Sequence, residues 1–371
     1  ITEHTRQEFA SFFNVEKHIT NPITAICVIA PDFKQHFVSN TSEPWIYQTD
    51  TKALMKDLAK QLPSNITLWT STAYLNCRLS EDNTEIEILR AGQKQTVKTR
   101  FLVGADGGHS KVASTVPALQ QNKSFLFGYE QVFFGDVHLG PKPEHTIYHF
   151  WFGEFSLGYG GWLSPTTVNG KNAFRIGLAK LPKERADAHG LIKDFTNILL
   201  ERKIISIIGD KEKPDYVFGS HIPIGGSLKS IYKDNVLLIG DAAGFCGAFA
   251  ADGIKGSIVS GKEGAKVITR YLNGEKNAIK EILPLVNSHN KLLNYYKKQV
   301  RYRWIWDLMK KDRTFTAMYK IIEAEKDHFL NQFCDSKDKS RSLVWTVLKV
   351  KHLGKLIKYS WYIFLDQLRF I

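Results

Sequence analysis

A chain of 371 residues is long enough to bury a large hydrophobic core, in one large domain or in two or three smaller ones. Its composition, 43% hydrophobic and 23% charged residues, excludes a wholly disordered chain and a multi-span membrane protein. The 50 basic and 37 acidic residues leave a net charge of +13, which favours an anionic partner such as a phospholipid surface, a nucleic acid or a pyrophosphate-bearing ligand.

The cysteine pattern indicates neither a metal site nor a redox pair. The four cysteines lie far apart and form no CxxC motif: Cys27, Cys77, Cys246 and Cys334. So few cysteines in a long chain fit a reducing compartment, and we expect a cytoplasmic protein. No apolar run approaches the roughly 18 residues that a spanning helix needs. The chain begins at Ile1 rather than Met, which we interpret as a fragment or a processed product.

The first predicted block, residues 1–117, combines one helix with several strands. Apolar residues at helical spacing predict a helix that begins at Thr51 and ends before Pro63. Strand-like stretches follow at Ile66–Trp69, Thr84–Leu89 and Thr96–Val103.

The rest of the chain divides into three further parts. Residues 118–220 are rich in aromatic residues and glycine, and the alternating runs His145–Phe152 and Ala173–Leu178 predict a β-sheet. Residues 221–285 return to a strand, a Gly-rich turn and a long helix, and residues 286–371 form a helical C-terminal region. This order predicts an α/β fold in which residues 1–117 and 221–285 build a nucleotide-binding domain around an interleaved β-sheet substrate domain.

The strongest motif is an apolar strand, residues 236–239, that runs into a turn of small residues. The turn consists of Gly240, Asp241, Ala242, Ala243 and Gly244. Small residues let backbone N–H groups approach a ligand closely, and a carboxylate after the strand can accept hydrogen bonds from sugar or ribityl hydroxyls. Gly253 and Ile254 then begin a helix whose N-terminus can face an electron-rich ligand. The alternative is an ordinary strand–turn–helix with small residues for packing.

A second motif has the same form earlier in the chain. The apolar residues 101–103 run into Gly104, and the turn continues with Asp106, Gly107 and Gly108. A lone Asp-Gly is usually only a turn. Its pairing with the later Gly-Asp turn favours a shared function.

The two motifs resemble the DG and GD motifs of the flavoprotein hydroxylase superfamily, typified by p-hydroxybenzoate hydroxylase. The segment Gly240–Gly261 is most similar to the geranylgeranyl reductase branch, and a looser resemblance extends over residues 45–270. The resemblance implies a Rossmann-like domain that binds FAD, with NAD(P)H or ferredoxin as the reductant.

The resemblance also implies which residues hold the cofactor. Asp241 would contact the ribityl or diphosphate region of FAD, and Asp106 would help to hold FAD and the interdomain loop. Backbone near Gly253 and Ile254 would lie beside the isoalloxazine ring. The other implied cofactor residues are Gly104, Gly107, Gly240, Ala242, Ala243 and Gly244. We therefore expect the two turns to converge on one flavin nucleotide.

The chain departs from the family pattern in three places. No Gly-x-Gly-x-x-Gly follows a strand near the start, so we expect that segment to lie before Ile1, and FAD binding without it to be weak or absent. Thr51 stands where many relatives carry Arg. Gly247, Ala248 and Ala251 replace the usual Asn, Pro and Gly, which alters the geometry expected around the flavin ring.

A third motif lies in the β-rich block, at residues 158–165. It resembles the Tyr-x-Trp-x-Phe-Pro motif that lines the isoprenoid cavity of geranylgeranyl reductases. Trp162 and Pro165 match, Gly160 and Ser164 replace Tyr and Phe, and Tyr159 can substitute from one position away. Flavin halogenases carry a similar Trp-x-Trp-x-Ile-Pro. We expect Tyr159, Trp162 and Pro165 to line a substrate cavity; the alternative is a β-hairpin with an aromatic core.

The C-terminal residues 341–371 hold six basic residues and one acidic residue, a net charge of +5. Lysines at 351, 355 and 358 share one helical face, and apolar residues at 353, 357, 361, 364 and 368 share another. This pattern predicts peripheral membrane contact through 341–371; the alternative is a terminal helix packed on the body with its basic face in water.

Neither a nucleic-acid module nor a metal-ligand spacing is recognisable.

Together these features predict an FAD-dependent oxidoreductase that reduces carbon–carbon double bonds of a small apolar, isoprenoid-like substrate. No residue stands out as the proton donor. Two alternatives stay open. One is a flavin-dependent monooxygenase or halogenase on the same scaffold. The other is a truncated, non-catalytic protein that keeps the fold and binds a membrane or a partner.

Overall fold

The computed structural model describes residues 1–81, 83–139, 146–156, 158–182, 187–334 and 348–368. Of the predicted membrane-contact segment, residues 341–347 and 369–371 lie outside the described residues. No helix in the described ranges is both long enough and apolar enough to cross a bilayer.

The strands, in chain order, are β1 (Ile19–Ile23), β2 (Ala25–Ile29), β3 (His36–Asn40), β4 (Ile46–Thr49), β5 (Thr72–Leu79), β6 (Thr84–Arg90), β7 (Gln93–Thr99), β8 (Leu102–Gly104), β9 (Phe125–Val137), β10 (Ile147–Trp151), β11 (Gly158–Val168), β12 (Lys171–Lys180), β13 (Ile205–Ile207), β14 (Tyr216–Pro223), β15 (Tyr232–Lys233) and β16 (Val236–Leu238). The α-helices are α1 (Glu3–Ala10), α2 (Thr51–Lys60), α3 (Lys111–Thr115), α4 (Ala188–Glu201), α5 (Ile254–Leu272), α6 (Ile282–Ser288), α7 (Leu292–Asp307), α8 (Asp312–Glu323), α9 (Lys326–Cys334) and α10 (Leu353–Leu368).

The largest sheet has the order β13-β9-β12-β11-β10-β2-β3, and β14 also pairs with β9. Strands β2 and β10 are parallel, while the other pairs are antiparallel. Residues 25–40 of the first predicted block thus lie in the sheet of the second. Alternate side chains, including Trp151 and Phe174, pack with Phe195 of α4 in one buried cluster. The side chains between them face the opposite way.

A smaller sheet, β15-β16-β8, positions both predicted turns. Strands β16 and β8 run parallel, with Leu238 opposite Gly104. Val236, Leu237 and Leu238 are fully buried, as the continuous apolar run predicted. They share one core cluster with Val259 of α5, so the long helix covers this sheet. Since the two strands are parallel, the turns that follow them emerge at the same edge.

The predicted elements of the first block are only partly confirmed. Helix α2 begins at Thr51 as predicted, because the Asp50 carboxylate accepts a hydrogen bond from the backbone N–H of Ala53 at 2.9 Å. The predicted strand at 66–69 is wrong: Trp69 is exposed beneath the Arg90 guanidinium, and the sheet begins three residues later. The predicted strand 96–103 is split between two sheets, since Thr99 bonds locally to the backbone of residue 101 and ends β7.

Candidate functional site

The two Gly-Asp turns lie side by side at the carboxyl edge of β8 and β16. Asn122 joins them: its Nδ2 donates to the carbonyl oxygen of Gly108 at 3.0 Å and to that of Asp241 at 2.9 Å. The side chain of a third segment therefore fixes the separation of the turns. Sequence reasoning missed Asn122, because an amide 119 residues away in the chain from Asp241 carries no local signal.

The carboxylate of the first turn is already fully used by its own loop. Asp106 accepts hydrogen bonds from Ser110 Oγ at 2.7 Å and from the backbone N–H groups of Lys111 and Val112 at 2.7 and 3.1 Å. These groups form the start of α3, so Asp106 acts here as a helix cap. The predicted contact of Asp106 with FAD stays a prediction, and this geometry favours an indirect role in shaping the turn.

The carboxylate of the second turn is available to a ligand. Among the described residues none donates a hydrogen bond to the side chain of Asp241, and burial raises the pKa of this carboxyl above its ordinary value. A Cβ atom on Gly253 would lie 2.6 Å from Asp241 Oδ1, so glycine is needed where α5 begins. The carboxylate thus sits at a helix N-terminus with its acceptors unused.

The small residues of the second turn have two different structural roles. Gly244 adopts φ +73°, and a Cβ there would lie 2.4 Å from the carbonyl oxygen of Gly226, so a larger residue cannot replace it without moving the backbone. Ala242 and Ala243 are fully buried in the core under the sheet. Their predicted lining of the cofactor stays a prediction.

Ala251 occupies a backbone conformation that favours glycine. Its φ is +54°, and its N–H donates to the carbonyl oxygen of Gly247 at 2.8 Å. For a residue other than glycine the left-handed region costs roughly 1–2 kcal/mol. Ala251 therefore replaces the glycine that the resemblance leads us to expect, while its backbone keeps a conformation that favours glycine.

A cavity of about 580 Å³ opens beside the start of α5. Its lining includes Trp45, the segment 250–252, Ile254, and Tyr295 and Tyr296 of α7, together with residues 1–5. Burial, and after it the nearby Asp252 carboxylate, holds the pKa of Tyr295 well above its usual range. At neutral pH Tyr295 therefore stays a hydrogen-bond donor, and its hydroxyl donates to Asp252 at 2.6 Å.

The aromatic face of the large sheet adjoins this cavity at two points. Tyr148 meets Trp45 edge to face, with ring centroids 6.1 Å apart. The Tyr159 hydroxyl donates to the carbonyl oxygen of Phe249 at 3.2 Å, directly before the wall segment 250–252. The structure thus places the predicted wall residue Tyr159 next to the start of α5.

Trp162 lies on the same sheet face as a partly buried ion pair. Its Nε1 donates to Glu130 Oε2 at 2.7 Å, while Arg175 Nε and Nη2 donate to Glu130 Oε1 at 2.8 and 2.6 Å. Gly177 lies opposite on β12 and leaves room for the indole, since a Cβ there would meet Trp162 at 2.3 Å. Pro165, three residues further along β11, belongs to the opposite face and is buried. The three predicted wall residues therefore do not share one surface.

Sequence reasoning missed Glu130, Arg175 and a further buried cation, Arg303. The Arg303 side chain is 2% exposed, pairs with Asp307 and lies 5.4 Å from the centre of the Tyr159 ring. Burial raises the pKa of Tyr159 to about 12, against the opposing effect of the Arg303 charge. Glu130 and Arg175 were visible only as charged residues within largely apolar strands, and that signal names no partner; Arg303, in α7, carried no such signal.

Replacing Glu130 with Gln is expected to destabilise the fold by about 1–3 kcal/mol, because Arg175 then keeps its charge in a half-buried site without a counterion. Urea unfolding followed by tryptophan fluorescence measures the change. Glu85→Gln is the matched control: its salt bridge to Lys98 is exposed, so we expect an effect below about 0.5 kcal/mol. Equal effects of the two substitutions would show that the Glu130–Arg175 pair contributes no more to stability than an exposed ion pair.

Comparison with known proteins was made by sequence and by structure. A model of the FAD binding domain family matches residues 15–278. A digeranylgeranylglycerophospholipid reductase from Methanococcus vannielii is 23% identical over 291 residues, which are 76% of this chain and 66% of that protein. This chain therefore spans about two thirds of the length of that relative.

Solved structures share the fold at low identity. A geranylgeranyl bacteriochlorophyll reductase-like protein from Thermoplasma acidophilum superposes with a TM-score of 0.70 and 14% identity, covering 96% of this chain and 88% of that one. The p-nitrophenol 4-monooxygenase of Pseudomonas putida gives a TM-score of 0.62 and 12% identity, covering 92% and 84%. At such identities the likeness shows the fold alone.

Proposed function

Since this chain belongs to the FAD binding domain family, we propose that it is an FAD-dependent reductase of carbon–carbon double bonds in an apolar, isoprenoid-like substrate. The observation that carries the proposal is the aromatic face of the large sheet, where Tyr148 packs against the cavity residue Trp45 and Tyr159 donates to the backbone of Phe249, next to the cavity segment 250–252. The printed names of the Methanococcus and Thermoplasma proteins support the isoprenoid class.

The residues at the second turn fit the flavin part of FAD. Among the described residues none donates to the carboxylate oxygens of Asp241, so ribityl hydroxyls would satisfy them. Helix α5 has 19 residues, and in the described part of the chain no side-chain hydrogen bond caps its N-terminus at Gly253. Its first N–H groups and partial positive charge suit an electron-rich ring edge. Asp241, Gly253 and Ile254 would therefore hold the cofactor, with Gly107 and Gly240 shaping the turns around it.

When bound and reduced, FAD supplies a hydride equivalent to the double bond. The chain contributes the surroundings of that reaction. Trp162 is held by Glu130, and Tyr159 by the backbone of Phe249, so both rings keep fixed positions. Fixed aromatic surfaces orient an apolar chain and exclude water without adding reactive groups. We name no proton donor, because none of these contacts singles one out.

The test is an anaerobic assay of the purified chain with excess FAD, chemically reduced by dithionite, and geranylgeranyl diphosphate in detergent. We expect mass spectrometry to detect products that have gained one hydrogen molecule per reduced bond. Trp162→Ala should lower kcat/KM about tenfold or more, because burial of an aromatic side chain contributes roughly 1.5–3 kcal/mol. Trp69→Ala, at an exposed indole, serves as the control and should leave kcat/KM unchanged.

Two results would overturn the proposal. Oxygen uptake with a hydroxylated or halogenated product, and no anaerobic reduction, would establish the monooxygenase or halogenase alternative. A folded chain that turns over no substrate in the presence of excess reduced FAD would support the non-catalytic alternative. Titration of the chain with FAD also tests the expectation that residues 1–371 bind the cofactor weakly or not at all.

A further inference from the structure

Helix α10 turns its apolar stripe towards solvent. Five large side chains at helical spacing are each more than half exposed: Leu353 (59%), Ile357 (62%), Trp361 (55%), Phe364 (51%) and Leu368 (52%). The sequence left open a helix that packs its apolar stripe on the body and keeps only basic residues in water. In the structure this apolar stripe faces solvent instead.

The opposite face of α10 is fixed to the protein. Asp366 is 1% exposed and accepts hydrogen bonds from the backbone N–H groups of Lys310 and Lys311, from Thr314 Oγ1 and from the Arg313 guanidinium. These donors surround the start of α8. The buried carboxylate therefore sets the rotation of α10 about its own axis, and the outward stripe follows from it.

The segment just before α10 is also held in place. Glu325 is buried and accepts hydrogen bonds from Lys349 Nζ at 2.5 Å and from His352 Nε2 at 2.8 Å. Lys351 Nζ lies 2.5 Å from the same carboxylate. Burial opposes the effect, but these donors lower the pKa of Glu325 to about 2. Both ends of α10 are thus anchored through buried carboxylates.

The exposed apolar surface continues beyond the helix. Leu348 and Val350, before α10, are exposed, and so are Trp304 and Ile305 of α7. The Gln367 side chain donates to the carbonyl oxygen of Leu308 at 2.9 Å, which ties the end of α10 to the end of α7, one turn from Trp304. We call these four residues and the five of the stripe the C-terminal apolar patch.

The charges around this patch are positive. Residues 348–368 contain four lysines, and the only acidic residue in that range is the buried Asp366. Lys349 and Lys351 pair with Glu325, so Lys355 and Lys358 supply the charge beside the patch. Lys358 is exposed beside the stripe, and Lys355 is exposed further round the helix, where its Nζ also donates to the carbonyl oxygen of Lys320 at 3.2 Å. A monomeric protein seldom leaves so many large apolar side chains in water unless they bind something.

We propose that the C-terminal apolar patch binds the surface of an anionic phospholipid bilayer, with the apolar side chains in the headgroup–acyl boundary and the lysines against the phosphates. A second copy of the chain is a poorer occupant. A symmetric contact through the same patch would bring the lysines of two copies together, and like charges repel. The proposal does not rest on the proposed enzymatic function.

Vesicle co-sedimentation of the purified chain, without FAD or substrate, tests it. We expect binding to phosphatidylcholine vesicles that contain phosphatidylglycerol, weaker binding to pure phosphatidylcholine, and further loss in high salt. Trp361→Ser and Phe364→Ser should each lower the partition coefficient about tenfold or more. Lys358→Gln should lower it about fivefold on anionic vesicles only.

Ile208→Ser is the matched control, because Ile208 is equally exposed but lies at β13, outside the patch, and it should bind like the wild type. Thermal unfolding of each variant should match the wild type, since the replaced side chains are exposed. Wild-type binding by Trp361→Ser would overturn the proposal. A second result would also overturn it: a chain that does not bind vesicles but forms a concentration-dependent dimer, seen by analytical ultracentrifugation and lost in Trp361→Ser.

Discussion

Asp241→Asn is expected to weaken FAD binding about tenfold to a hundredfold, because a hydrogen bond to a charged acceptor contributes about 1.5–3 kcal/mol. Of the two turn carboxylates, that of Asp241 is the one without a protein donor among the described residues. Asparagine keeps its shape and offers only one acceptor oxygen. Titration of the chain with FAD, followed by flavin fluorescence, gives the two dissociation constants.

Two further substitutions make this result specific. Asp234→Asn changes an exposed carboxylate seven residues earlier and should leave the dissociation constant unchanged. Asp106→Asn leaves one acceptor oxygen for the hydrogen bonds to the start of α3, where Ser110 remains the N-cap, so we expect a loss of at most about 1 kcal/mol in unfolding free energy and a smaller loss of FAD affinity than at Asp241. If Asp106→Asn weakened binding more than Asp241→Asn, the first turn would be the principal contact.

The pH dependence of the same variant has a definite sign. Burial raises the folded-state pKa of Asp241, so the charged carboxylate destabilises the free protein at neutral pH, and this penalty disappears as the pH falls through that pKa. Asp241→Asn should therefore raise the melting temperature without FAD at pH 7. Hydroxyl donors on FAD favour the charged form, so FAD binding to the wild type should weaken as the pH falls.

Asp366→Ala is expected to destabilise the fold by about 3–5 kcal/mol, because it removes the buried partner of the Arg313 guanidinium and of two backbone N–H groups. Urea unfolding at pH 7 measures the loss. Asp366→Asn, which keeps the shape of the side chain, is the milder variant if the alanine form does not fold. Asp327→Ala, at an exposed carboxylate of α9, should change stability by less than about 0.5 kcal/mol.

The stabilisation by Asp366 should vanish in acid. Burial by itself raises the pKa of Asp366. The hydrogen bonds from Thr314, Arg313 and the backbone lower this pKa by more than burial raises it, so the folded-state pKa lies below the ordinary value. Its contribution is therefore present above the unfolded-state pKa of about 3.9 and is lost as the pH falls through the folded-state pKa. A difference between wild type and Asp366→Asn that persisted unchanged in acid would contradict this explanation.

The sequence by itself determined the local features of this protein. Residues 236–239 are a continuous apolar run, and a turn of small residues follows, so a buried strand with a close-approach turn was predictable without any tertiary contact. The start of α2 was likewise predictable from the helical spacing of its apolar residues. Even the two faces of α10 were visible, because helical periodicity is a property of neighbouring residues.

Only the tertiary structure decided how those features are used. In the folded chain the carboxylate of Asp106 caps a helix, whereas that of Asp241 has no protein donor among the described residues. Folding also pairs Glu130 with Arg175 across two strands. It also decided that the apolar stripe of α10 faces outward, since the buried partners of Asp366 lie more than fifty residues earlier in the chain. Hydrogen bonds and burial are set by groups that folding brings together, and periodicity within one segment carries no information about them.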